Sequence, residues 1–157
     1  MSQSRERFRL IVAVHILIRQ DDRVLLLRRF NTGYEDGNYS LVAGHLDGNE
    51  EVVQAAIRET SEEAGIVVAP SAMKVAAVMH RQSDTERIDF FLETWEWTGT
   101  IENREPDKCD ELAWFPINTL PSNTVPYIRH AIERITQGEW FQTFGWEQPT
   151  APEAQTK

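Results

Sequence analysis

The sequence predicts an α+β fold on three observations: a series of short apolar segments patterned as strands, an acid-lined helical segment among them, and an amphipathic helix near the end. Its 157 residues suffice for one domain with its own hydrophobic core and are too few for two of ordinary size. The expected organisation is a frayed polar segment over residues 1–6, a single domain over 7–147 and a disordered tail over 148–157.

Each element has its own signature. Over residues 8–18 apolar side chains occupy both alternating faces, as in a central strand covered on two sides. His15 within it has no second histidine at ligand spacing and reads as a core residue. Gln20, Asp21 and Asp22 make a turn, and residues 23–30 return as a second strand with Arg28 and Arg29 at its end. The Gly-, Asn- and Asp-rich run 31–38 is a loop, followed by a short strand over 39–43.

The acid-lined helix should span 50–64. Asn49 suits its N-cap, Glu50 and Glu51 place negative charge on the first turn, and Gly65 is positioned to end it in a left-handed conformation. At about 100° per residue, Val52, Val53, Ala56, Ile57, Thr60 and Ala64 share the buried side, with Glu59, Glu62 and Glu63 in a stripe at its edge.

Beyond it, Pro70 breaks the chain, and residues 74–80 and 87–97 read as strands joined by the polar loop 81–86. The second is apolar on both faces, so its Glu93 needs a polar partner. Residues 98–110 lack a hydrophobic period and are expected to form an exposed loop; 112–115 is a short strand. Thr124 and Pro126 suit the first turn of a final helix carrying Ile128, Ala131, Ile132 and Ile135 on one face, ended by Gly138. Trp140, Phe141, Phe144 and Trp146 follow as an aromatic segment expected to dock on the domain or a partner subunit.

Composition narrows the function. A net charge of −9 argues against a binder of nucleic-acid polymers or anionic membranes, although bound metal and local arginines can reverse the field inside a site. The single cysteine, Cys109, excludes an internal disulfide and, lacking nearby partners, reads as a buried structural thiol. No signal peptide or run of about 20 apolar residues is evident, which makes a cytoplasmic location the expectation.

The chemistry is concentrated between Gly44 and Ile66. Carboxylates three and four residues apart on a helix repel one another unless a cation lies between them. All-oxygen donors suit Mg²⁺ or Mn²⁺, whereas the ordinary reading of such a run is a solvated acidic face. The letters around the acids decide between the two. Gly44, Glu50, Arg58, Glu59, Glu62, Glu63, Gly65 and Ile66 match the pattern G-x5-E-x7-R-E-U-x-E-E-x-G-U, where U is aliphatic; Thr60 replaces one aliphatic residue. Seven specified letters at fixed spacing arise by chance on the order of 10⁻⁸ per starting position. The stretch resembles the box of the Nudix hydrolase family. Glu105-Pro-Asp-Lys-Cys109 further resembles the EP-x-KC segment of a MutT-like subset.

That resemblance implies a Nudix fold, an α/β/α sandwich around a curved mixed sheet. It implies Mg²⁺, with Mn²⁺ as an alternative, held by Glu59, Glu62, Glu63, the Gly44 carbonyl and Glu105. One box glutamate or Glu105 acts as base, Arg58 orients a carboxylate, Glu50 braces the loop and Gly65 is structural. By position, Arg29 and Asn123 resemble substrate-binding residues of MutT-like relatives. The implied partner is a small nucleoside diphosphate derivative, and homodimers are common in the family. The expected reaction is pyrophosphohydrolysis of a nucleoside triphosphate, ordinary, oxidised or otherwise noncanonical, to monophosphate and pyrophosphate. A nucleotide-sugar or dinucleoside polyphosphate hydrolase and a noncatalytic nucleotide sensor are the alternatives.

Overall fold

The computed structural model describes residues 4–147. Its strands are β1 (Ile11–Gln20), β2 (Arg23–Arg29), β3 (Tyr39–Ser40), β4 (Val42–His45), β5 (Lys74–Gln82), β6 (Glu86–Thr94), β7 (Cys109–Pro116) and β8 (Phe141–Phe144). The helices are α1 (Val52–Ala64) and α2 (Pro126–Thr136), with a 3₁₀ turn at Pro70–Ala72. The strands form one mixed sheet in the order β3-β2-β1-β6-β5-β8, with β4 also pairing β1 and β7 also pairing β2.

Strand periodicity sorts the core into two layers. Val14, Ile16 and Ile18 of β1 and Leu25 and Leu27 of β2 point to one face, where they meet Ala55, Ala56 and Ala64 of α1. Leu17, Val24 and Leu26 point to the other face, where they meet Phe91, Ile128 and Ile132 beneath α2. A helix thus covers each face of the sheet, the sandwich that the resemblance implied.

Local boundaries differ from the expected ones for identifiable reasons. Asn49 does not cap α1: it follows Gly48 in the left-handed region, at φ 57°, whereas an N-cap needs extended backbone. Glu51 takes that role at φ −87° and ψ 168°, accepting from the Gln54 N–H at 2.8 Å while Gln54 accepts from the Glu51 N–H. Glu50 is therefore left outside the helix. Gly65 ends α1 in the left-handed conformation at φ 71°, as expected. The expected strand over 39–43 is split, because Tyr39 and Ser40 pair with β2 whereas Val42–His45 pairs with β1. The strand expected at 112–115 begins at Cys109, paired with Arg29 after a register shift in which Asp110 of β7 is the extra residue.

The aromatic segment docks as an added edge strand. β8 runs parallel to β5, and the Trp146 indole N–H donates to the His80 carbonyl at 2.8 Å, yet Trp140 and Phe141 remain exposed. Glu93 finds its polar partner in Arg19, at 3.4 Å. No helix among the described residues is long and apolar enough to cross a membrane. The tail expected over 148–157 lies outside the described residues.

Candidate active site

Two adjoining cavities flank β4. The first, of about 550 Å³, is lined by Glu59, Glu62, Glu63 and Glu105, with Arg29 and Lys108 among its other walls. The second, of about 630 Å³, is lined by His15, Tyr34, Arg81, Arg87 and Tyr127. Arg29, Ala43 and His45 border both.

Three box glutamates reach the first cavity because α1 carries them at the edge of its buried face. Ala55, Ala56 and Thr60 are buried against the sheet, with the Thr60 hydroxyl donating to the Ala56 carbonyl at 2.7 Å. This internal bond explains how a threonine occupies the aliphatic position. Glu59 is itself buried, and its carboxylate lies directly against Gly44. A Cβ at residue 44 would overlap that carboxyl group and force the Glu59 side chain out of its present position.

Arg58 ties the acids together. Its guanidinium donates to Glu50 at 2.7 and 3.1 Å, to Glu59 at 2.7 Å and to Glu62 at 3.3 Å. Glu50 also accepts from the Asp47 N–H at 3.2 Å, which closes the loop before α1. Glu63 accepts from the Ala43 N–H at 3.0 Å.

Glu105 arrives from an irregular segment, and the end of α1 explains its placement. The last carbonyls of a helix lack intrahelical partners. Here the Glu102 N–H donates to the Ala64 carbonyl at 3.0 Å and the Arg104 N–H to that of Glu63 at 3.2 Å. The backbone amides of Lys108 and Cys109 then both donate to the Glu105 carbonyl. Residues 98–110 are largely exposed, as expected, but Glu102 and Arg104 anchor the segment to the end of α1, and Cys109 and Asp110 already belong to β7. Cys109 is buried, as expected, and burial pushes its thiol pKa upward.

Crowded carboxylates show the expected electrostatic response. Burial raises the Glu63 pKa to about 8, against the Ala43 N–H and with help from the charges of Glu59 and Glu105. Burial also raises that of Glu59, opposed by Arg58. As placed, no three acidic, histidine or cysteine side chains among the described residues stand close enough to ligate one ion. Of the acids lining this cavity, Arg58 holds Glu59 and Glu62, and the Ala43 amide holds Glu63. The donor chemistry nevertheless fits a hard divalent cation: the acids lining this cavity are all oxygen donors, and the unfavourable ionisation of Glu63 is what a bound cation would relieve.

The substrate-binding expectations separate. Arg29 borders both cavities; its guanidinium donates to the Tyr34 carbonyl at 2.7 Å and to Thr32 at 3.1 Å and lies over the Tyr34 ring. Asn123 lines neither cavity, and its amide donates to the Gly37 carbonyl at 2.9 Å, fastening the 31–38 loop.

Sequence reasoning missed the second cavity's buried floor. Asp89 accepts from Arg81 at 2.7 and 3.3 Å and contacts His15 Nε2 at 3.0 Å, with all three side chains buried. The Arg81 guanidinium lies 3.8 Å from the Tyr127 ring centroid, and His15 stacks on Phe91. The available signal was one charge, Asp89, inside a strand otherwise read as core; Arg81, expected in the polar loop 81–86, belongs instead to β5, and the β5–β6 hairpin brings the two together.

The family model for the NUDIX domain matches residues 9–135. The chain is 30% identical over 118 residues to an ADP-ribose pyrophosphatase of Methanocaldococcus jannaschii, covering 70% of this chain and 64% of that protein. It is 27% identical over 114 residues to the NAD-capped RNA hydrolase NudC of Stutzerimonas stutzeri, covering 73% of this chain and 39% of that one. The aligned part thus spans less than two thirds of either relative's length. Among solved structures, a MutT NUDIX hydrolase from Burkholderia pseudomallei superposes with a TM-score of 0.73 at 26% identity, over 80% of this chain and 98% of that one. A MutT protein from Methanosarcina mazei Go1 superposes with a TM-score of 0.69 at 21% identity, over 82% and 94%, a likeness of fold.

Proposed function

This chain belongs to the NUDIX domain family, and we propose that it is a divalent-metal-dependent pyrophosphohydrolase that cleaves a nucleoside triphosphate to monophosphate and pyrophosphate. One observation carries the reading: four carboxylates share a cavity with the cations Arg29 and Lys108. Acids alone would repel a polyphosphate and cations alone would only bind it. Together they suit a phosphate chain that arrives with its metal.

In this mechanism Glu59, Glu62, Glu63 and Glu105, which line the first cavity, would hold the ion, joined by the Gly44 carbonyl as the resemblance implies. When bound, Mg²⁺ or Mn²⁺ offsets charge on the phosphate oxygens and lowers the pKa of the attacking water. Arg58 keeps Glu59 oriented through its charge-assisted hydrogen bonds, and Glu50 fixes Arg58 in turn. Arg29 and Lys108 bind non-bridging phosphate oxygens. The water oxygen attacks one phosphorus, a carboxylate of the set takes its proton, and the bridging P–O bond at that phosphorus breaks, giving monophosphate and pyrophosphate. Positioning and charge compensation account for most catalysis of this kind.

A second reading is hydrolysis of a diphosphate linking a nucleoside to another moiety. It is favoured by the likeness to a protein named as an ADP-ribose pyrophosphatase. The two readings separate by product analysis over triphosphates, oxidised triphosphates, nucleotide sugars and dinucleoside polyphosphates in Mg²⁺ and Mn²⁺. Direct pyrophosphate release from triphosphates supports the first. Turnover confined to the diphosphate-linked compounds supports the second, and nucleotide binding with no turnover would contradict both.

A further inference from the structure

The buried floor of the second cavity is more polar than packing requires. Arg81 and Asp89 are almost wholly inaccessible to solvent, and so is His15. Removing such groups from water is costly unless their hydrogen-bonding capacity is used. The two bonds from Arg81 to Asp89 employ Nε and Nη2; Nη1 makes no bond among the described residues and is not among the buried unpartnered atoms, so it stays open to the cavity that Arg81 lines. His15 Nδ1, by contrast, is buried without a partner, although Nε2 on the same ring contacts Asp89. Two polar groups of one cluster are therefore unspent, and both residues line the cavity.

The geometry limits what Arg81 can recognise. Asp89 fixes one edge of the guanidinium and Tyr127 covers a face, so the fork is held rigidly. Asp89 also neutralises its charge within contact distance. A neutralised guanidinium with free N–H groups reads a dipole better than it attracts a second anion. The half-buried cations Arg29 and Arg87 are on the cavity's wall, while the aromatic rings of Tyr34 and Tyr127 provide flat contact surface. Continuity with the carboxylate cavity through Arg29, Ala43 and His45 places this pocket beside the phosphates.

We propose that Arg81 is a specificity-determining residue, donating from Nη1 to a neutral carbonyl oxygen on a planar group to which the substrate's phosphates are attached. This rests on the phosphoanhydride-hydrolase reading of the first cavity. Once a bound substrate covers this donor, the site discriminates against an analogue that lacks the acceptor, because the donor is then cut off from water and left unpaired.

Equilibrium binding tests this without turnover. The probes are 5′-monophosphates in matched pairs differing by one carbonyl: inosine against purine riboside, and guanosine against 2-aminopurine riboside. Adenosine 3′,5′-bisphosphate against adenosine 5′-monophosphate reports on a second anion instead. Wild-type protein should bind at least one carbonyl-bearing member about 10- to 100-fold more tightly than its partner, with little gain from the added phosphate. Arg81→Lys, which keeps a cation for Asp89 but loses the fork, should bring the favoured member down to the affinity of its partner and leave the partner unchanged. Equal loss for both members would mark Arg81 as merely structural and overturn the proposal. So would equal wild-type affinities, a gain only from the extra phosphate, or no binding of any probe. Because no hydrolysis is measured, failure here is distinct from failure of the hydrolase reading, which product analysis decides separately.

Discussion

The two cavities beside β4 are built by opposite routes. The first draws three carboxylates from one helix, within a stretch where sequence neighbours become spatial neighbours at helical spacing. The second gathers His15 from β1, Arg81 from β5, Asp89 from β6 and Tyr127 from α2, joined only by the sheet's register. Chemistry that depends on one local motif can be kept intact while the distributed pocket changes. The first cavity thus suits the reaction shared by a family, and the second suits the choice of substrate.

The contrast can be broken from either side. Glu62→Gln is expected to have the largest effect on the first cavity, lowering kcat by about 10³-fold or more in steady-state assays while circular dichroism and thermal unfolding stay near wild type. Retained turnover would remove Glu62 from the catalytic set. Asp89→Asn attacks the second cavity and should appear mainly as instability, because Arg81 is left as an uncompensated buried charge. Denaturant titration should show a loss of about 3–5 kcal/mol. An unchanged midpoint would mean that the ion pair is dispensable.

Acidification probes the same pair in the unmodified protein. Desolvation pushes the Asp89 pKa upward, but His15 and Arg81 outweigh it and bring the value down to about 2. A depressed carboxylate pKa contributes stability that is present above the unfolded value of about 3.9 and disappears as pH falls toward the folded one. Unfolding free energy should therefore decline between about pH 5 and pH 2 by an amount on the order of 2 kcal/mol, and Asp89→Asn should flatten that part of the curve.

Gly44→Ala places a methyl group against the Glu59 carboxyl and should reduce activity about 10- to 100-fold through displacement of that side chain, with a smaller change in stability. Wild-type kinetics would show that the close approach is not needed. The smallest effect is expected from Thr60→Val. Its hydroxyl bonds only within the helix, so stability should move by no more than about 1 kcal/mol and activity hardly at all.

How much could be read in advance follows the same division. The box helix, its glycine terminator, the central strands and the final helix were legible because their signals lie within a few turns of chain. Its N-terminus was misjudged because Asn49 has the composition of a cap but a left-handed backbone, which moves the cap to Glu51. Glu105 was named by resemblance, yet the bonds that dock its loop on the end of α1 are backbone contacts with no sequence signature. The Arg81–Asp89–His15 floor was not legible, since it depends on the parallel pairing of β1 with β6 and on the register of the β5–β6 hairpin. Asn123 shows the reverse limit: a position matched along the chain stands outside both cavities.

The most direct test of a metal-dependent phosphoanhydride hydrolase is pyrophosphate or coupled phosphate release from the best substrate in Mg²⁺, in excess chelator, and after Mg²⁺ is restored. The carboxylate cavity predicts that chelation stops hydrolysis and that added metal recovers it, with Glu62→Gln inactive throughout. Undiminished release in excess chelator, or full activity of Glu62→Gln, would contradict it.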